Sequence, residues 1–201
     1  PIEGGSCLPE VEPTSAEDLG AALLIALPPG DLRRAIAVIA RLAKPPVLVI
    51  APPHDADGAL LDACAQAADV IVMPLPAALA ASGTDDALTA GLAIRARGAK
   101  AVVLTAGMLG GIIVYGDKTV TYPAMPMARS ASPGTGAAFA GALAAWCAGE
   151  GADFRGIKRG CAMASAVGGI CDQGVGPKKL LSVGRKEYVE RFNRLRRTNK
   201  F

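Results

Sequence analysis

Few of the residues that commonly carry enzyme chemistry occur in this 201-residue chain. It has a single histidine, His54, so neither a Ser/His/Asp triad nor a histidine-based metal site is easy to build. Its five cysteines are widely spaced, with no CxxC pair and no histidine at metal-ligand spacing. We therefore expect reduced, buried cysteines. His54 follows two prolines, and we expect it in a surface loop.

Long hydrophobic runs are also missing, although hydrophobic residues make up 51% of the chain. The longest runs, such as residues 47–51 and 70–73, are far shorter than the roughly 18 to 20 apolar residues that span a bilayer. The sequence therefore predicts a soluble protein, long enough to form one domain of ordinary size.

Charge is scarce except near the end of the chain. The net charge is only +3, yet residues 178–201 carry nine basic residues against two acidic ones. Apolar residues at helical spacing, from Tyr188 and Val189 to Phe192 and Leu195, predict a helix that packs on the body and leaves its basic face outside. We interpret this face as a contact surface for RNA or an acidic protein, with a solvated helix face as the alternative. The contact residues are expected to be Arg185, Arg191, Arg194, Arg196, Arg197 and Lys200.

Short apolar runs alternate with helical patterns through the first half of the chain. Strands are expected at residues 21–27, 46–51, 70–73 and 101–105, with helices between them, two of which Asp31 and Thr84 should cap. This alternation predicts an α/β fold with a largely parallel sheet and helices on both faces.

The pattern changes after residue 110. Two β-rich runs, residues 111–115 and 119–122, are joined by a Gly-Asp-Lys turn, which predicts a hairpin. Helices should follow, one opened by Gly134 with Phe139 and Trp146 in the core, then residues 154–170 and 185–197. We expect one domain over residues 19–201, after an extended, proline-broken lead at residues 1–18.

Three motifs resemble one protein family. TAGMLG at residues 105–110 is similar to a T-x-G-x-x-G turn, and SPGTGAAF at residues 132–139 is similar to the signature D-T-x-G-A-G-D-x-F. Residues 68–83 match, in length and hydrophobic rhythm, a segment written A-D, strand, N-x-x-E, helix, T-G. With the order of elements over residues 19–195, these motifs resemble the nucleotide-binding part of the ribokinase-like (PfkB) sugar and nucleoside kinases.

The resemblance implies a nucleotide or anion site, because glycines at a helix start leave backbone N–H groups free to bind negative charge. We expect it to be a vestige of an ATP site, with no required cofactor and no metal. Its residues should be Thr105, Gly107, Gly110, Gly134, Thr135 and Gly136.

The groups that perform phosphoryl transfer in the family are replaced. Ala137 occupies the position of the aspartate that accepts the proton of the attacking hydroxyl, and general-base assistance is worth roughly 10² to 10⁴ in rate. Pro74 and Ala77 occupy the positions of the asparagine and glutamate that organise magnesium and phosphates. The polar cluster that normally ends the strand near residue 51 is also replaced, by Ala-Pro-Pro-His. Because several of these positions are replaced together, the sequence favours a natural loss of catalysis over a single engineered substitution.

Family members also carry about a hundred more residues before the first strand, including the lid and much of the sugar-binding surface. We expect that N-terminal lid region to be absent from this sequence.

The leading hypothesis is a pseudokinase, a structural subunit of a larger assembly, with a mitochondrion or another organelle as the expected location. The alternative is a PfkB-type sugar or nucleoside kinase, which transfers phosphate from ATP to a hydroxyl, seen as a fragment or as an Asp-to-Ala variant. A third hypothesis is a nucleotide-binding regulatory module. Folds outlast the sites built on them, so the fold alone does not decide among the three.

Overall fold

A computed structural model of the chain describes residues 19–126, 133–174 and 178–199, with side chains to residue 197. The predicted lead at residues 1–18, Ser132 and Lys200 lie outside these ranges. The strands are β1 (Ala21–Ile25), β2 (Val47–Ala51), β3 (Val70–Pro74), β4 (Ala101–Thr105), β5 (Gly111–Tyr115) and β6 (Lys118–Tyr122). The helices are α1 (Pro29–Ile39), α2 (Gly58–Ala67), α3 (Leu75–Ser82), α4 (Ala87–Ala96), α5 (Thr135–Glu150), α6 (Phe154–Cys171), α7 (Lys178–Ser182) and α8 (Arg185–Asn199).

All six strands form one sheet, in the order in which they occur along the chain. The first four strands run parallel to one another, each joined to the next through helices. β5 and β6 are antiparallel and form the predicted hairpin, with Tyr115 opposite Lys118 across the turn. The mostly parallel α/β sheet with a β-hairpin is therefore confirmed.

Each face of the sheet is covered by its own hydrophobic core. In β4, Val102 and Leu104 belong to the core under α2 to α4, whereas Ala101 and Val103 belong to the core under α5 and α6. This alternation follows from the two-residue period of a strand, and both sets are buried because helices cover both faces. No helix of the described ranges is long and apolar enough to cross a membrane.

Two of the predicted helix caps are wrong. α1 begins after Pro28, which provides no side-chain cap, and Asp31 lies inside the first turn. α4 is capped by Asp86, whose carboxylate accepts the backbone N–H of Thr89 at 2.6 Å. The Thr84 hydroxyl instead accepts the backbone N–H of Asp86 at 3.2 Å. Both errors are small shifts of a helix start.

α8 packs on the body as predicted, through a small third core. Phe192 and Leu195 are buried, and the Phe192 ring lies 5.4 Å from the ring of Trp146, centroid to centroid. Trp146 itself is half-buried rather than part of the main core. Val189 is 40% exposed, so its assignment to the docking face is wrong.

The core assignment is tested by shortening a leucine of α5. Leu143 is fully buried between the sheet and α6, so Leu143→Ala should lower the free energy of unfolding by about 2 to 5 kcal/mol. Leu92 on α4 is 44% exposed, and Leu92→Ala should cost about 0.5 kcal/mol. Urea denaturation of both variants measures the difference, and equal losses would contradict this placement of the core.

Candidate functional site

A cavity of about 520 Å³ opens where the β4–β5 turn, the start of α5 and the last turns of α6 meet. Five of the six residues predicted for the nucleotide or anion site line it, and the sixth, Gly134, is the N-cap of α5. The five lining residues are Thr105, Gly107, Gly110, Thr135 and Gly136. Motifs that lie about thirty residues apart in the sequence are thus brought to one place by the fold.

The β4–β5 turn has a shape that only glycine permits at its last position. Gly110 has a φ of +86°, and a Cβ there would lie 2.0 Å from the carbonyl oxygen of Tyr122. The backbone N–H of Ala106 donates to the carbonyl of Gly110 at 2.7 Å, which closes the turn. Gly110 is therefore needed for the hairpin to sit against the end of β4, whatever binds in the cavity.

The start of α5 borders the cavity through Thr135 and Gly136. Gly134 has a φ of +97° and makes no side-chain cap, and the first turn contains no acidic residue. The first intrahelical bond of the described helix start runs from the Ala138 N–H to the Gly134 carbonyl at 2.9 Å. The N–H groups before Ala138 give this end of the helix a partial positive charge.

A carboxylate on α6 reaches this helix start. Asp172 is the C-cap of α6, is 5% exposed and lines the cavity, and the Thr135 hydroxyl donates to its Oδ1 at 2.5 Å. Ser165, 6% exposed, lines the same wall. Sequence reasoning missed both residues, because nothing in the small-residue pattern of α6 marks which of its positions meet α5.

The three replaced positions lie around the same end of the sheet. Ala137 is exposed on the first turn of α5. Pro74 ends β3, pairs with Thr105 of β4 and is the N-cap of α3, while Ala77 packs against the core beneath α3. A second cavity of about 170 Å³, lined by Leu75, Leu109 and five other residues, lies on this side of the turn. The surroundings of Ala77 are therefore mainly apolar, whereas Ala137 is exposed.

The remaining candidate groups for chemistry are His54 and the cysteines. His54 is exposed in the loop after β2. The four described cysteines are buried and form no disulfide with one another, and burial raises the pKa of the Cys64 and Cys147 thiols to about 11. Burial also raises the pKa of the Cys161 thiol well above its usual value. Among the described residues, no three His, Cys, Asp or Glu side chains cluster as metal ligands.

The sequence matches no protein-family model and no curated protein, but the fold matches solved kinases. Ribokinase from Thermotoga maritima superposes with a TM-score of 0.73 at 17% identity, over 92% of this chain and 60% of that one. A nucleoside kinase from Burkholderia thailandensis, solved with ADP-inosine, gives 0.70 at 22% identity, over 91% and 56%. Aminoimidazole riboside kinase from Salmonella enterica gives 0.69 at 13% identity, over 80% and 56%.

These similarities establish a ribokinase-like fold, the one found in the PfkB-type carbohydrate and nucleoside kinases. The chain spans somewhat more than half the length of the solved kinases that it matches. At sequence identities of 13 to 22%, these similarities establish the fold but not the activity.

Two glycines, one in the turn before β5 and one in the turn after it, test the steric account of the β4–β5 turn. Gly110→Ala should lower the free energy of unfolding by at least about 3 kcal/mol, because both the positive φ and the contact with the Tyr122 carbonyl oppose a methyl group. Gly116→Ala is the matched control: its φ is +60° but no atom lies within 4 Å of the added Cβ, so the cost should be about 1 to 2 kcal/mol. Thermal and urea unfolding measure both, and a smaller loss at Gly110 would refute the account.

Proposed function

We propose that this chain is a catalytically inactive ribokinase-fold protein that acts as a structural subunit of a larger assembly. The single observation that carries the first half of the proposal is Ala137. It stands on the first exposed turn of α5, directly after the two glycines, where the resembling signature has its aspartate. A methyl group accepts no proton, so this position contributes no general-base catalysis.

The positions equivalent to the magnesium-organising pair support the same proposal. Pro74 has no polar side chain and no backbone N–H, and Ala77 contributes only a methyl group to the core. Mg²⁺ is held by oxygen ligands, which neither of these two side chains supplies. Among the described residues that line the cavity of about 520 Å³, Asp172 is the one acidic residue, and its carboxylate accepts a hydrogen bond from the Thr135 hydroxyl.

The structural role is supported by α8. Its apolar side is buried through Phe192 and Leu195, while basic side chains remain exposed on the other side. Arg191 is an exception, because its guanidinium donates to Gln173 and Glu187 and its side chain is only 14% exposed. The exposed basic residues of the predicted contact surface are Arg185, Arg194, Arg196 and Arg197.

We take an acidic partner, RNA or protein, as the ligand of this surface. RNA binding would weaken by about 0.7 to 0.9 log unit per tenfold increase in salt for each phosphate contact, whereas an acidic protein would bind with a defined stoichiometry. The alternative function is that of a PfkB-type sugar or nucleoside kinase, seen here as a fragment or as an Asp-to-Ala variant. A nucleotide-binding regulatory role is favoured by one observation, the cavity of about 520 Å³ beside the start of α5.

Turnover assays test the loss of catalysis. The purified chain should show no ATP-dependent phosphorylation of ribose, fructose, adenosine or inositol, because no proton acceptor stands at Ala137. Turnover within the usual kinase range of about 1 to 100 per second would overturn the proposal. The Ala137→Asp variant separates the alternatives: restored turnover would favour a kinase that lacks one group, whereas an inactive variant agrees with loss at several positions.

Charge reversal tests the surface on α8. Arg194→Glu, Arg196→Glu and Arg197→Glu together should release the chain from its assembly without unfolding it, because these residues are exposed and the buried side of α8 is untouched. The control reverses three exposed basic residues elsewhere, Arg33, Arg41 and Lys44. Co-purification from the source material and circular dichroism measure the outcome. Unchanged co-purification of the α8 variant would mean that α8 is only a solvated helix.

A further inference from the structure

The sheet has two outer edges, β1 and β6, and they differ in character. β6 begins with Lys118 and exposes Thr119 and Thr121, and charged or polar side chains of this kind discourage the pairing of edge strands. β1 reads AALLI, with no charged or polar side chain and no proline. None of the described residues pairs with the outer side of β1. This edge is therefore of the kind that accepts another strand.

The direction of the backbone groups of β1 follows from the bonds at its two ends. The Gly20 carbonyl accepts the N–H of Val47 at 3.1 Å, and the N–H of Ala26 donates to the Ala51 carbonyl at 2.9 Å. Because successive residues of a strand direct their backbone groups to opposite sides, the even-numbered residues of β1 bond to β2. The residues whose N–H and C=O groups point to the outer edge are Ala21, Leu23 and Ile25.

We propose that a second copy of this chain binds here, with the two β1 strands antiparallel about a twofold axis at Leu23. Residues 21, 23 and 25 of one copy then lie opposite residues 25, 23 and 21 of the other. All the outward backbone groups of β1 become paired, because each of these residue pairs exchanges two N–H···O bonds. A twofold axis requires such a self-complementary surface. The inference does not depend on the proposed loss of catalysis.

The side chains of β1 suit pairing with themselves. In this register Ala21 lies opposite Ile25 of the second copy, and Ala22 lies opposite Leu24. A large side chain therefore meets a small one on both faces of the joined sheet, and only Leu23 meets its own counterpart. Because β1 has no charged side chain, the twofold pairing brings no like charges together.

α5 is placed so that it would also meet its counterpart. It lies over β1, since a Cβ added at Gly141 would be 3.9 Å from Cδ2 of Leu23. Gly141 is thus the residue of α5 level with the proposed axis. Its neighbours on the same side of the helix, at spacings of three or four residues, are Ala137, Ala145 and Ala148. Small residues at these positions let two α5 helices come close together.

The charge of this side of α5 agrees with burial against a second copy. Ala137, Ala145 and Ala148 are exposed, although the exposed side of a helix is normally charged or polar. α5 has no charged residue before its last one, Glu150. The surface made by β1 and this side of α5 is therefore apolar and uncharged, which favours a copy of itself over an acidic or basic partner.

Sedimentation of the unaltered chain and of two matched variants tests the dimer. The unaltered chain should dimerise at micromolar concentrations. Gly141→Gln should raise the dissociation constant at least tenfold, because the added side chain would meet its own copy near the axis. Gly149→Gln should leave it unchanged. Gly149 follows the buried Ala140 by two and a half helical turns, so it points away from the sheet, and no atom lies within 4 Å of an added Cβ.

A monomer at hundreds of micromolar would overturn the proposal, and so would an unchanged dissociation constant for Gly141→Gln. If that variant does not fold, Ala145→Gln, at an exposed position on the same side of α5, replaces it with the same expectation.

Amide hydrogen exchange shows whether β1 forms the interface. The N–H of Leu23 should be protected only at concentrations where the dimer forms, whereas the N–H of Leu24 should be protected at every concentration because it bonds to β2. A dimer with an unprotected Leu23 N–H would overturn the proposal. Protection of this N–H in the monomer would do so too, because another part of the same polypeptide would then cover β1.

Discussion

The close packing of α5 on α6 is the contact on which the cavity depends. Gly160 of α6 makes it possible, because a Cβ there would lie 2.7 Å from Cδ1 of Leu143 and 3.0 Å from Cδ1 of Trp146. The two helices run in opposite directions, so the start of α5 comes beside the end of α6, and Thr135 meets Asp172. The same pair covers one face of the sheet and, at its outer side, receives α8.

The glycines of the two motifs are present for different reasons. Gly110 is required by the fold, since any side chain would enter the backbone of the hairpin, and Gly134 has a positive φ. Gly136 has neither constraint: no atom lies within 4 Å of an added Cβ, and its backbone is helical. Gly107 also has a positive φ, so three of these four glycines would be retained in a protein without a ligand, and only Gly136 is better explained by access to the cavity.

Much of the fold could be predicted from the sequence because strands and helices here have strong local patterns. β4 has the predicted bounds, and α5 begins at the predicted glycines. The predictions failed where contacts with other residues determine the start of a helix or the position of a side chain. The cap of α4 shifted from Thr84 to Asp86, and Arg191, expected on the outer surface, is held by Glu187 and Gln173. Asp172 could not be predicted at all, since only the packing of α6 on α5 brings it to the site.

The proposed role, a kinase-fold protein without catalysis that holds other subunits, rests on an apolar residue at each of the three replaced positions and on the exposed basic side of α8. The native size of the species that contains the chain in its source material tests this most directly. Gel filtration of an unfractionated extract, followed with an antibody to the chain, should place all of it in a complex many times larger than one polypeptide. Elution at the size of a single polypeptide carrying this sequence would contradict the account.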